Sequence, residues 1–233
     1  MKSRMAVLTL AGLGMVVVCA CRLTADEPAR GKPAQQAGPT ADEALQLLKD
    51  GNARFVADMP KEAERGSKKR IELAQGQRPI AVVLTCSDSR AAPEIIFDKG
   101  LGVLFVVRVA GNVGGPEVYA SIEYAIAELK TPLIVVLGHT NCGAVGAALK
   151  GKDQPSDNLK QLISLIHTGD ELPKDKAAAL DAAIRNNVRH QAQLLSKQSR
   201  IIQDFAGSGR VKIAPAVYDL KTGVVSWLEL PKK

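Results

Sequence analysis

Two short stretches hold the residues whose types and spacing could do chemistry. TCSDSRAAPE (Thr85–Glu94) sets a thiol, a carboxylate and a guanidinium at alternate positions, Cys86, Asp88 and Arg90. GHTNCG (Gly138–Gly143) sets His139 and Cys142 three residues apart in a glycine-flanked turn. The first stretch alone leaves three readings open: a reactive thiol with polar neighbours, a metal site, or an ordinary polar loop. Of four cysteines, Cys19 and Cys21 lie in an apolar N-terminal stretch, so the folded part keeps only Cys86 and Cys142. In an exported protein such a pair makes a disulfide by default. A disulfide leaves His139, Asp88, Arg90 and the glycines as coincidence. Two thiolates and an imidazole, by contrast, are the three protein ligands of a catalytic zinc site, with the fourth position open.

These residues need elements that bring them together. Three apolar runs without alternation, IAVVL (80–84), VLFVV (103–107) and LIVVLG (133–138), suit strands buried on both faces, as in a parallel sheet. PEVYASIEYAIAELK (116–130) lies between the second and third and reads as a helix with proline at its start. Further helices are expected over 40–58, with an interruption at Gly51-Asn52, and over 61–74, 141–150, 156–167 and 174–205. KIAPAVYDL (212–220), a Thr222-Gly223 turn and VVSWLEL (224–230) read as a closing strand and hairpin. The order gives an α/β fold, a central mostly parallel β-sheet flanked by helices with the C-terminal hairpin at the sheet edge. In such sheets ligands sit beyond the carboxyl ends of the strands, where Cys86, His139 and Cys142 all fall.

At this point CSDSR (86–90), RVAGN (108–112), SIEYAI (121–126) and GHTNCGAV (138–145) together resemble a β-class carbonic anhydrase. GNARF (51–55) and VYDL-x-TG (217–223) match the two ends of that family, so the likeness spans about residues 40–230 in order. The resemblance implies a Zn2+ enzyme, one ion per chain, interconverting CO2 and bicarbonate through zinc-bound hydroxide. It implies metal ligands Cys86, His139 and Cys142. Asp88 would either orient the reacting water while paired to Arg90, or swing in as a fourth ligand. It further implies a pocket drawn from Gln77, Phe105, Ala110, Tyr124 and the Gly143 amide, completed in a homodimer or higher oligomer. Bicarbonate-inhibited members carry tryptophan three residues before the first zinc cysteine, where this chain has Val83. Arg108 matches the arginine of that inhibitory site and is open to a structural reading as well. The expectation is therefore an open metal at neutral pH, with Asp88 held by Arg90.

Other signals bound the rest. The chain has 233 residues and a formal charge of +7, enough length for one sizeable domain. No run of five basic residues exists and aromatics are only 3%, so nucleic acid is not an expected partner. MKSR followed by the uncharged Met5–Ala20 looks like a secretory signal. Val18-Cys19-Ala20-Cys21 resembles a lipobox, which would lipidate Cys21 and tether an exported, periplasmic protein to the membrane; ordinary cleavage after Ala20 or Ala25, or an uncleaved anchor, are the competing readings. Residues 1–21 are read as the leader, 22–40 as a Pro/Ala/Gly-rich linker and 41–233 as a single domain. His167 and His190 are expected as surface or packing residues. Ser87 and Ser89 lack a Gly-x-Ser-x-Gly elbow, and GNVGGPE (111–117) lacks the Gly-Lys-Ser/Thr of a phosphate loop. Two rivals share the site: a carbonyl sulfide or carbon disulfide hydrolase, and a zinc-binding interaction module without catalysis.

Overall fold

The computed structural model describes residues 38–61, 64–151 and 154–230; the leader and most of the linker read in the sequence lie outside the described residues. Five strands order as β2-β1-β3-β4-β5. They are β1 (Ala81–Thr85), β2 (Leu104–Arg108), β3 (Leu133–His139), β4 (Lys212–Tyr218) and β5 (Val225–Trp227). The first four run parallel and only β5 is antiparallel. Every residue of β1 and β3 is buried, as unbroken β-branched runs require when both faces are covered. Alternate side chains serve opposite faces. Val82, Leu84, Ile134 and Val136 join one core with α4 (Pro116–Ala127), α5 (Gly143–Lys150), α7 (Lys176–Gln198) and α8 (Arg200–Gly207). Val83, Leu133 and Val135 join the other, with α1 (Ala41–Val56) and α3 (Pro93–Ile96). The remaining helices, α2 (Ser67–Leu73) and α6 (Asp157–Ser164), contribute no fully buried residue.

Three expectations need correction. Helix α1 runs unbroken through Gly51 and Asn52. A Cβ on Gly51 would stand 1.9 Å from the Phe97 carbonyl oxygen, so the glycine is there for close approach and not to stop the helix. Asn52 is buried beside it. It donates to the carbonyls of Ile96 (3.1 Å) and Gly223 (2.8 Å) and accepts from the Val225 amide (2.9 Å). Helix α2 starts at Ser67, not Lys61, with Gly66 as its cap. The long helix expected over 174–205 is two helices, broken at Ser199 with extended φ −126° and ψ 117°. Its hydroxyl accepts the Ile202 amide at 3.1 Å and caps α8, while also donating to Glu123.

Candidate active site

The parallel register aligns the carboxyl ends of three strands. Thr85 lies opposite both Arg108 and Leu137, so the residues that follow β1 and β2 meet the end of β3. Cys86 follows β1 directly, His139 ends β3, and Cys142 caps the start of α5. All three are buried, and their ligand atoms lie within 4.8 Å of one another. The thiols are free, so the disulfide reading fails.

The imidazole is already set for a metal. His139 Nδ1 donates to the Thr140 carbonyl at 2.9 Å, because a carbonyl can only accept. That fixes the lone pair on Nε2, a buried atom with no hydrogen-bond partner. The thiol pair asks for a cation as well. The Cys142 thiol first, then the neighbouring His139 and the Gly111 amide, lower the Cys86 pKa to about 4 against the cost of burial. Cys142 is pushed up by its hydrogen bond to Cys86 and by burial, although the first-turn amides of α5 act the other way. The two thiols are thus shifted in opposite directions, and a positive ion between them would favour both thiolates. Soft thiolates, an imidazole and three converging donors fit zinc.

Asp88 stands at the rim of this set. Its Oδ2 is 3.8 Å from His139 Nε2, and it belongs to an ion pair rather than to the donor cluster. Arg90 donates Nε to Oδ1 at 2.9 Å and Nη2 to Oδ2 at 2.7 Å, and its backbone amide adds a third bond at 3.0 Å. The Arg90 side chain is the largest cause holding the Asp88 carboxyl well below the usual carboxylate range, against partial desolvation. Arg108, at the end of β2, is spent on backbone carbonyls. It donates to the backbone carbonyls of Cys86 (3.1 Å) and Asp88 (2.6 Å), pinning the loop that carries both.

The other candidates separate. Ala110 and Gly143 sit at this carboxyl edge, with Gly143 exposed as the first residue of α5. Phe105 and Tyr124 pack ring to ring at 6.3 Å, and Tyr124 is 51% exposed. Gln77 is exposed in the loop before β1, at the strand end opposite Cys86. His167 and His190 stack on each other at 4.4 Å and belong to no ligand set. Sequence reasoning missed the Gly111 amide, which donates to Cys86 Sγ at 3.3 Å, and, packed behind its turn, the buried Asn187 and Gln191. The signal for the last two was two amides four residues apart on the apolar stripe of α7.

A mainly parallel sheet with a buried Cys2His donor set at its carboxyl edge, and a carboxylate–guanidinium pair beside it, defines a metalloenzyme of the β-carbonic anhydrase fold. The carbonic anhydrase family model matches residues 81–225, from β1 to the first residue of β5. A carbonic anhydrase of Mycolicibacterium smegmatis is 42% identical over 186 residues, covering 78% of this chain and 90% of that protein. Carbonic anhydrase 2 of Mycobacterium tuberculosis is 40% identical over 184 residues, covering 77% and 89%. Among solved structures, a Coccomyxa β-carbonic anhydrase in complex with acetazolamide aligns with TM-score 0.63 at 26% identity, over 82% of this chain and 87% of that one. Tetrameric β-carbonic anhydrases of Sordaria macrospora share the fold at TM-score 0.64 and 24% identity, over 80% and 97%. The chain belongs to the carbonic anhydrase family, in its β class, and is a carbonate dehydratase.

Proposed function

We propose that the chain hydrates CO2 to bicarbonate with one Zn2+ held by Cys86, His139 and Cys142, with Asp88 outside the ligand set at neutral pH. The observation that carries this is the orphaned His139 Nε2 facing two buried sulfurs, beside a carboxylate tied up by Arg90. When bound, zinc supplies the Lewis acidity that makes water a nucleophile near neutral pH. The chain's own residues do the rest. Asp88, kept ionised by Arg90, is an acceptor-only group and orients the reacting water by taking its hydrogen bond. The guanidinium occupies both carboxylate oxygens, which keeps Asp88 from turning toward the sulfurs. Ala110 gives an apolar edge suited to CO2, Phe105 and Tyr124 would extend it from a second copy, and the Gly143 amide at a helix start suits the anionic product.

We infer two features beyond the site. The working unit is a dimer or larger: β2 is an unpaired edge strand whose Phe105, Val106 and Val107 are only half-buried. The protein is also exported, with Cys21 lipidated, a reading supported by the charged start, the apolar Met5–Ala20 and Cys21 at its end. Mass spectrometry of the mature N-terminus tests it: a diacylglyceryl-Cys21 is expected, and an intact Met1 overturns it.

The test of function is stopped-flow CO2 hydration by purified protein, with carbonyl sulfide and carbon disulfide hydrolysis measured in parallel. CO2 turnover is expected to dominate. Cys142→Ala is expected to lose both zinc and turnover, and full turnover without zinc would sink the mechanism.

A further inference from the structure

Behind the Cys86 sulfur, the chain after β2 makes a tight turn through Ala110, Gly111 and Asn112. Gly111 adopts φ +73°, a left-handed conformation, and this is what turns its amide toward Cys86 Sγ, 3.3 Å away. An N–H···S hydrogen bond withdraws charge from a thiolate, so the position of this amide bears on how strongly Cys86 binds a metal. Within the turn the Asn112 amide donates to the Val109 carbonyl at 2.8 Å, and further bonds reach it from outside.

The restraint comes from helix α7. Asn187 is fully buried, and its Nδ2 donates to the Gly111 carbonyl at 2.8 Å. Its Oδ1 accepts the His167 amide at 3.2 Å, so the side chain is fixed at both ends. One turn later Gln191, also buried, accepts the Gly114 amide at 2.9 Å and donates to the Leu165 carbonyl at 2.9 Å. It lies 3.4 Å from Asn187 Oδ1 as well. Two buried amides on an apolar helix face are costly unless satisfied, and here, apart from their contact with each other, their bonds go to the turn or to the segment after α6.

We propose that Asn187 is a positioning residue for the metal centre: by holding the Gly111 carbonyl it aims the Gly111 amide at the Cys86 sulfur and so sets the donor strength of that ligand. Gln191 braces the far end of the same turn at Gly114 and reaches only Asn187 Oδ1, not the Nδ2 that holds Gly111, which makes it the comparison variant. The inference rests on the zinc reading of the site. Metal-free wild-type protein that binds no zinc would remove that reading, whereas the comparison of variants bears on Asn187 alone.

The experiment measures zinc affinity and the thiolate-to-metal charge-transfer band of the Co2+-loaded protein in wild type, Asn187→Leu, Asn187→Asp and Gln191→Leu. Asn187→Leu removes donor and acceptor, while Asn187→Asp keeps the volume and the acceptor for the His167 amide and sets a carboxyl oxygen where the donor to Gly111 stood. Both are expected to weaken zinc binding about tenfold or more and to move the band. Gln191→Leu, which loses a buried amide of similar cost, is expected to keep the wild-type band and an affinity within about twofold. Wild-type values in the Asn187 variants, or equal changes in Gln191→Leu, would overturn the proposal. One reading needs no variant to fold: in wild-type protein loaded with 113Cd, a scalar coupling from the metal to the Gly111 amide proton is expected, and its absence also overturns the proposal.

Discussion

Arg90 is the residue on which the proposed open form of the site turns. Its side chain is 58% exposed, so the pair with Asp88 contributes little to stability. Its effect is on Asp88 itself, whose depressed pKa owes most to the guanidinium. A carboxylate with a lowered folded pKa keeps its charge, and its contribution, above the ordinary carboxylate range and loses them as pH falls. Arg90→Leu removes the main cause of the shift, so the acid limb of CO2 hydration is expected to move to higher pH. It also frees Asp88 toward His139 Nε2, only 3.8 Å away, and turnover near neutral pH should drop about 10–100-fold. The melting temperature should hardly change; a large fall with normal turnover would make Arg90 a structural residue. The ligands and this pair were legible because each is a reactive type at a strand end. Asn187 and Gln191 were not, since a polar residue on a helix reads as facing water unless its partners in distant loops are known.

At the scale of elements, the fold was readable where the signal is local. Continuous apolar runs mark β1 and β3, and proline opens α4. It was misread where a side chain answers to a remote backbone. Gly51-Asn52 looks like a helix breaker, yet it fastens α1 to the turn after α3 and to β5. Ser199 breaks a long helix with no glycine or proline to announce it, because its hydroxyl has Glu123 on another helix as a partner. Asn52→Leu tests the first point. It gains burial worth about 1.5–3 kcal/mol. It leaves the Ile96 and Gly223 carbonyls and the Val225 amide without their partner, at about 1–3 kcal/mol each. The loss outweighs the gain, and urea denaturation is expected to show destabilisation of about 3 kcal/mol. An unchanged midpoint would mean that water replaces the amide.

At the scale of the molecule, the placement of Gln77 sets a geometric problem. Cys86 leaves the carboxyl end of β1, and Gln77 precedes its amino end. A strand of five residues separates them by roughly 17 Å, too far for one side chain to span. If Gln77 helps bind substrate, it serves the site of a second copy, docked where β2 ends the sheet and Tyr124 is exposed. Complementation separates this from a role within one chain. Gln77→Ala keeps its metal ligands but would deprive its neighbour of the amide; Cys142→Ala has no metal site but still offers Gln77. Co-expressed with different tags and purified through both, the two form mixed oligomers in which the Gln77→Ala chain has its own zinc and a borrowed amide. Activity per zinc in the mixed species is expected to exceed that of Gln77→Ala alone and approach wild type. Activity equal to Gln77→Ala would mean that no amide crosses between chains, and monomers in sedimentation velocity at micromolar concentration would remove the shared pocket altogether.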